Sequence, residues 1–135
     1  MGSDKILLGH GGGGRLTAEL LGDILQPLHN PVLDKLDDSA EIEVGNAKLA
    51  FTTDSYVIDP LEFPGGDIGR LAVCGTVNDL TMQGARPAYL SLALIVEEGL
   101  SVAALRSYIR SVGTAAEEAG VEIATGDTKV VERGH

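Results

Sequence analysis

Four groups of acidic or amide residues stand beside strands or within a glycine-rich helix: Asp37-Asp38, Asp54 after Thr52-Thr53, Asn78-Asp79, and Asp127 after a short apolar run. Carboxylates drawn into one cleft repel and raise one another's pKa unless a hard divalent cation lies between them. Mg²⁺ favours a few carboxylates together with substrate phosphates, so a nucleoside triphosphate completes such a set and phosphoryl transfer is the chemistry. Turn capping is the structural alternative, and Asp38, Asp54 or Asp127 taken singly fits it better. Asp79 argues the other way, because an acid between Val77 and Leu80 in a glycine-rich helix reads as buried and in need of a charged partner. Lys129, two residues beyond Asp127, can share its face of an extended segment and neutralise phosphate charge. Arg86, before Pro87, has the same two readings, surface charge or phosphate partner.

The tract Gly9-His10-Gly11-Gly12-Gly13-Gly14 formally satisfies G-x-G-x-x-G and opens a helix. A dinucleotide fold needs a strand ending in an acid directly after that helix, and Asn30-Pro31 intervenes. Arg15-Leu16 stands where a Walker P-loop needs Lys and Ser or Thr. A flexible loop and a glycine lid over phosphates both remain. His10, His29 and His135 show no zinc-ligand spacing, and Cys74, between Val73 and Gly75, reads as an inert core residue.

These groups must be positioned by a chain of 135 residues, enough for one sizeable core and read as a single domain over 1–135. A net charge of −10 disfavours nucleic acid, and 44% hydrophobic against 22% charged residues excludes a disordered acidic tail. One cysteine points to an intracellular, cytoplasmic protein, and no run approaches the ~18 apolar residues of a membrane span.

Lys5–Leu8 reads as a short apolar strand, and Leu16, Leu20, Leu21, Ile24, Leu25 and Leu28 recur at helical spacing up to Pro31. A loop follows to Ser39, then strands at 40–44 and 48–53 around Gly45-Asn46, with a third possible at 56–58. Phe63-Pro64-Gly65-Gly66 breaks the chain before Asp67, which stands as N-cap of a small-sided helix ending at Ala85-Arg86-Pro87. Tyr89–Val96 is apolar on both faces, Ser101 caps a helix over 102–119 that Gly120 closes, and 121–125 is a last strand. This order predicts an α+β domain with helices packed on one mixed β-sheet.

Five strings in order resemble the HypE family of hydrogenase maturation factors: Phe51 to Pro60, Phe63 to Gly69, Gly75 to Asp79, Gly84 to Pro87 and Gly126 to Val131. That family belongs to the superfamily of aminoimidazole ribonucleotide synthetase, selenophosphate synthetase and thiamine-monophosphate kinase. The resemblance spans about Ile6 to Glu132 and implies the N-terminal-domain fold of that superfamily, dimerising through its sheet into a barrel. It implies Mg²⁺ held by Asp38, Asp54, Asp79 and Asp127. It also implies ATP contacts at Gly11, Gly12, Gly13, Asp37, Asp54, Asn78, Gly126 and Lys129, with the glycine tract over the nucleotide.

The implied activity is an ATP-dependent carbamoyl dehydratase, which turns a thiocarbamate on a C-terminal cysteine into thiocyanate for the iron of [NiFe] hydrogenase. The implied partners are a second copy, the carbamoyltransferase that loads the cysteine, and the maturation scaffold complex, with no nucleic acid or membrane. The sequence ends at Gly134-His135 with neither a second domain nor a terminal cysteine, so the expectation is an N-terminal domain of a longer parent that completes no turnover by itself. The competing expectations are a selenophosphate synthetase-like enzyme, a small-molecule kinase, or a module for dimerisation and partner docking alone.

Overall fold

The computed structural model describes residues 5–134, so His135 lies outside the described residues. The chain divides into two compact units, 1–37 and 38–135.

In the first unit, a 3-10 turn at Leu8–Gly11 leads into helix α1, Arg15–Ile24, followed by 3-10 turns at Gln26–Leu28 and Leu33–Lys35. The strand expected at 5–8 does not form. The Leu7 N–H donates to His10 Nδ1 at 2.8 Å, which curls the segment into a turn. Helix α1 also stops short of Leu28, because Pro27 has no N–H with which to continue the ladder after Leu25 N–H reaches Leu21 O. Asn30 Oδ1 then accepts from the N–H groups of Val32 and Leu33, both at 3.0 Å, and fixes the turn that carries the chain onward.

The second unit opens with the expected hairpin, β1 (Ala40–Val44) against β2 (Ala47–Phe51), turning at Gly45 with φ 62°. The strand possible at 56–58 is not formed: Val57 is 94% exposed and Tyr56 turns towards a helix instead. Phe63 to Gly66 proves to be the tip of a short hairpin, β3 (Glu62–Phe63) with β4 (Gly66–Asp67). Pro64 supplies the fixed φ and Gly65, φ 100°, the left-handed corner that such a turn requires.

Helix α2, Ile68–Met82, begins where Asp67 Oδ1 accepts the Arg70 N–H at 2.9 Å. Strand β5, Tyr89–Glu97, is joined to β6, Glu122–Val131, by helix α3, Val102–Ala119. Ser101 caps α3 and Gly120, φ 68°, closes it, both as the sequence predicts. The two strands pair in parallel with an irregularity at Leu90/Ser91.

Two corrections matter for function. First, among the described residues the strands form three separate two-stranded ladders, β1–β2, β3–β4 and β5–β6, rather than one mixed sheet. Second, β6 runs on to Val131, so Gly126-Asp127-Thr128-Lys129 lies within a strand and not in a loop after it.

Strand β5 is covered on one face only, alternating along its length, with Tyr89 and Ile95 left exposed. The core sits where α3 and β6 meet α2: Val73, Val112, Ala115, Ala116 and Val121, backed by Val77, Leu90 and Leu92. Gly69 is required there, since a β-carbon would strike the Tyr108 carbonyl of α3. Arg70 to Glu118, at 2.7 Å, ties the same two helices at the surface. No helix among the described residues is long and apolar enough to cross a membrane.

Candidate functional site

An antiparallel hairpin returns the chain to the end at which it started, so the residues just before β1 and just after β2 emerge together. Asp38 precedes β1 and Asp54 follows β2. The Thr52 hydroxyl closes that end by donating to the Asp38 carbonyl at 2.8 Å. Helix α2 supplies Asp79, half-buried rather than fully buried as the sequence suggests.

The Asp79 carboxyl is held above the ordinary carboxylate range, first by burial, then by the charges of Asp54 and Asp38 and by a hydrogen bond with Asp54. Asn78 acts weakly in the opposite sense. Asp38, Asp54 and Asp79 thus share one electrostatic field, the relation expected of acids waiting for a cation.

Tyr56 joins the group, and sequence reading missed it by assigning it to a strand. Its hydroxyl lies 3.3 Å from Asp54 Oδ2 and 3.3 Å from Thr76 Oγ1. Gly75 makes this possible, because a β-carbon there would occupy the position of the phenol oxygen. Burial pushes the phenol above its usual value, the Thr76 contact pulls it back, and the carboxylates of Asp54 and Asp79 push it further up. A Tyr two residues after the acid, facing a glycine-rich helix, was the available signal.

Among the described residues no three acids, histidines or cysteines converge as a complete metal cage. The donor set still fits Mg²⁺, which takes one or two carboxylates and completes its shell with waters and substrate phosphates. Asp54 and Asp79, whose carboxylates act on one another electrostatically, are such a pair, with Asp38 adding charge.

Asp127 is not brought into contact with this group. It faces Ala93 across the β5–β6 ladder and binds Lys129 Nζ through Oδ2 at 2.5 Å, both side chains being exposed. The shared face expected for Asp127 and Lys129 is therefore present, with Lys129 partnered by its own neighbour. Gly126 has a steric role besides any nucleotide contact: a β-carbon would strike the Leu92 carbonyl across the ladder.

Asn78, Asp37 and the glycines are exposed. Gly11 ends the first 3-10 turn, Gly12 N–H reaches Gly9 O at 3.4 Å, and Gly13 takes φ 72° before α1. Cys74, expected in the core, is exposed, because the apolar face of α2 is carried by Val73, Val77 and Leu80.

The profile of the family described as AIR synthase related protein, N-terminal domain, matches residues 36–135, nearly coincident with the second compact unit. "Carbamoyl dehydratase HypE" of Rhodobacter capsulatus is 52% identical over 135 residues, covering 97% of this chain and 39% of that protein. A crystal structure described as a HypE-HypF complex superposes with a TM-score of 0.77 at 47% identity, over 90% of this chain and 38% of its own. HypE in complex with ATP gives a TM-score of 0.64 at 53% identity, over 96% of this chain and 39% of its own. The chain thus spans about two fifths of the length of the curated relatives it matches. Its five motifs, its βαβ and hairpin framework and the profile match agree: the chain belongs to the AIR synthase related family and carries that family's N-terminal domain.

Proposed function

We propose that this chain is the Mg-ATP-binding and dimerising portion of a carbamoyl dehydratase that makes cyanide ligands for [NiFe] hydrogenase in the cytoplasm. The observation that carries the reading is the field shared by Asp38, Asp54 and Asp79 at one end of the β1–β2 hairpin. The 52% identity to a protein of that name, and the likeness to a relative crystallised with ATP, support it.

In this reading Asp54 and Asp79 hold Mg²⁺, with Asp38 adding to the acidic surround, and Asp127 joins as a ligand only on binding of the nucleotide. Asn78, Gly126, Lys129, Asp37 and Gly11 to Gly13 contact the nucleotide. Mg²⁺, when bound, offsets the charge of the triphosphate. Lys129, paired with Asp127, is placed to exchange that carboxylate for a phosphate oxygen.

The overall reaction moves the γ-phosphoryl of ATP to the oxygen of a cysteine thiocarbamate. That oxygen departs as phosphate while the nitrogen loses its protons, leaving S–C≡N. The cysteine and the remaining machinery belong to the longer parent.

Dimerisation through the strands is supported by the apolar surface they leave open. Val44, Leu49 and Phe51 share one face of the hairpin, and Tyr89 and Ile95 share one face of β5. A second copy would cover these faces, with strand edges pairing to join the separate ladders into the barrel expected of the family. The loading carbamoyltransferase, by likeness to the relative crystallised with HypF, and the maturation scaffold are the further partners.

The test is made in the full parent enzyme loaded with the carbamoyl group. With Asp54→Ala or Asp79→Ala, mass spectrometry of the C-terminal peptide should show the thiocarbamate persisting and no thiocyanate. Undiminished thiocyanate in both variants contradicts the assignment.

A further inference from the structure

The Tyr56 hydroxyl has one hydrogen and two acceptors. Thr76 Oγ1 donates its own hydrogen to the Ala72 carbonyl at 3.0 Å, so towards Tyr56 it can only accept. The Tyr56 hydrogen is therefore divided between Thr76 Oγ1 and Asp54 Oδ2, at equal distances of 3.3 Å. The absence of a side chain at Gly75 lets the ring lie close against α2, where the hydroxyl meets both acceptors. The Asp54 carboxylate, on the unpaired segment between β2 and β3, meets the Tyr56 hydroxyl at 3.3 Å and lies in the field of Asp79.

We propose that Tyr56 is a positioning residue that aims the Asp54 carboxylate at Asp79 and hands its hydrogen to Thr76 when Asp54 takes up a cation. No covalent bond changes. The hydroxyl rotates, its hydrogen leaves the Asp54 lone pair for the threonine oxygen, and the freed lone pair turns to the metal. The exchange leaves the half-buried phenol donor paired throughout, avoiding the cost of an unsatisfied one. Thr76 is the second half of the device, and Gly75 its clearance. The inference rests on the proposal that Asp54 and Asp79 are metal ligands.

The test uses the 135-residue chain and Mn²⁺ alone as the probe, followed by loss of the free-ion paramagnetic resonance signal, for wild type, Tyr56→Phe, Thr76→Val and Asp79→Asn. Thermal melting of each provides a check on folding. Tyr56→Phe removes only the oxygen, leaves the Asp54 carboxylate to be ordered on binding, and should weaken Mn²⁺ binding about fivefold, with melting little changed. Thr76→Val keeps the phenol but strands its hydrogen on Asp54, and should weaken binding by a similar factor. It remains decisive if Tyr56→Phe fails to fold. A merely structural tyrosine would leave both affinities at the wild-type value, and that result overturns the inference. Binding lost in Asp79→Asn but unchanged in the other two variants removes the Tyr56 role and keeps the metal site. Binding indifferent to Asp79→Asn removes both.

Discussion

The Tyr56 hydroxyl oxygen occupies the space that a β-carbon on Gly75 would need. Gly75→Ala should therefore displace the ring and lower stability in urea unfolding. Overpacking costs about 1–3 kcal/mol, and the better helix propensity of alanine returns ~1 kcal/mol of it. Gly113, in the middle of α3 with open space around it, is the contrast: Gly113→Ala should gain ~1 kcal/mol.

Gly126→Ala separates framework from ligand contact. The added methyl meets the Leu92 carbonyl, so the β5–β6 ladder must open locally. Hydrogen exchange should speed up around Leu92 and Gly126 before any nucleotide is added. Unaltered protection there would argue that the ladder tolerates a side chain.

Asp79 and Glu118 should give opposite pH dependences. The folded-state pKa of Asp79 is raised, so its ionisation is easier in the unfolded chain and stability falls as pH rises from the ordinary carboxylate value through the raised one. Asp79→Asn should then melt higher than wild type at pH 7 without metal, with the advantage fading towards pH 4.

Glu118 is held below its usual value by its hydrogen bond to Arg70, so its contribution is present above the ordinary range and lost as pH falls through the lowered value. Glu118→Gln should melt lower at pH 7 and converge with wild type in acid. The gap should be small and salt-sensitive, since both side chains reach solvent.

Ile95, 77% exposed, and Phe51, 64% exposed, lie on the open strand faces. If those faces receive a second copy, Ile95→Lys with Phe51→Lys should convert a dimer to a monomer in sedimentation velocity without loss of helical circular dichroism. A wild type that sediments as a monomer at micromolar concentration contradicts the proposed interface.

Local chemistry made much of the fold legible. Asp67, Ser101 and Gly120 announce helix ends because caps satisfy backbone groups within a few residues, and Gly45-Asn46 announces the hairpin for a similar reason. What the sequence hid was longer in range. The extension of β6 through Asp127 depends on pairing with β5 more than twenty residues away, and no periodicity in a Gly-Asp-Thr-Lys string reveals it. Whether the apolar stretch of β5 is buried on both faces depends on what covers it. The structure covers one face and leaves Tyr89 and Ile95 open.

The site divides in the same way. Asp38 and Asp54 could be picked out as acids at element ends and Asp79 as an acid within a glycine-rich helix, and the hairpin and α2 bring their charges together. Tyr56 could not, because its role requires the Gly75 clearance that only a folded α2 defines.

Calorimetric titration of Mg-ATP into the chain, repeated with ATP in EDTA, tests the central claim most directly. Saturable binding in Mg²⁺, weakened at least about tenfold by EDTA and by either Asp54→Ala or Asp79→Ala, is the predicted result. Binding that is the same in both variants and indifferent to Mg²⁺ would contradict it.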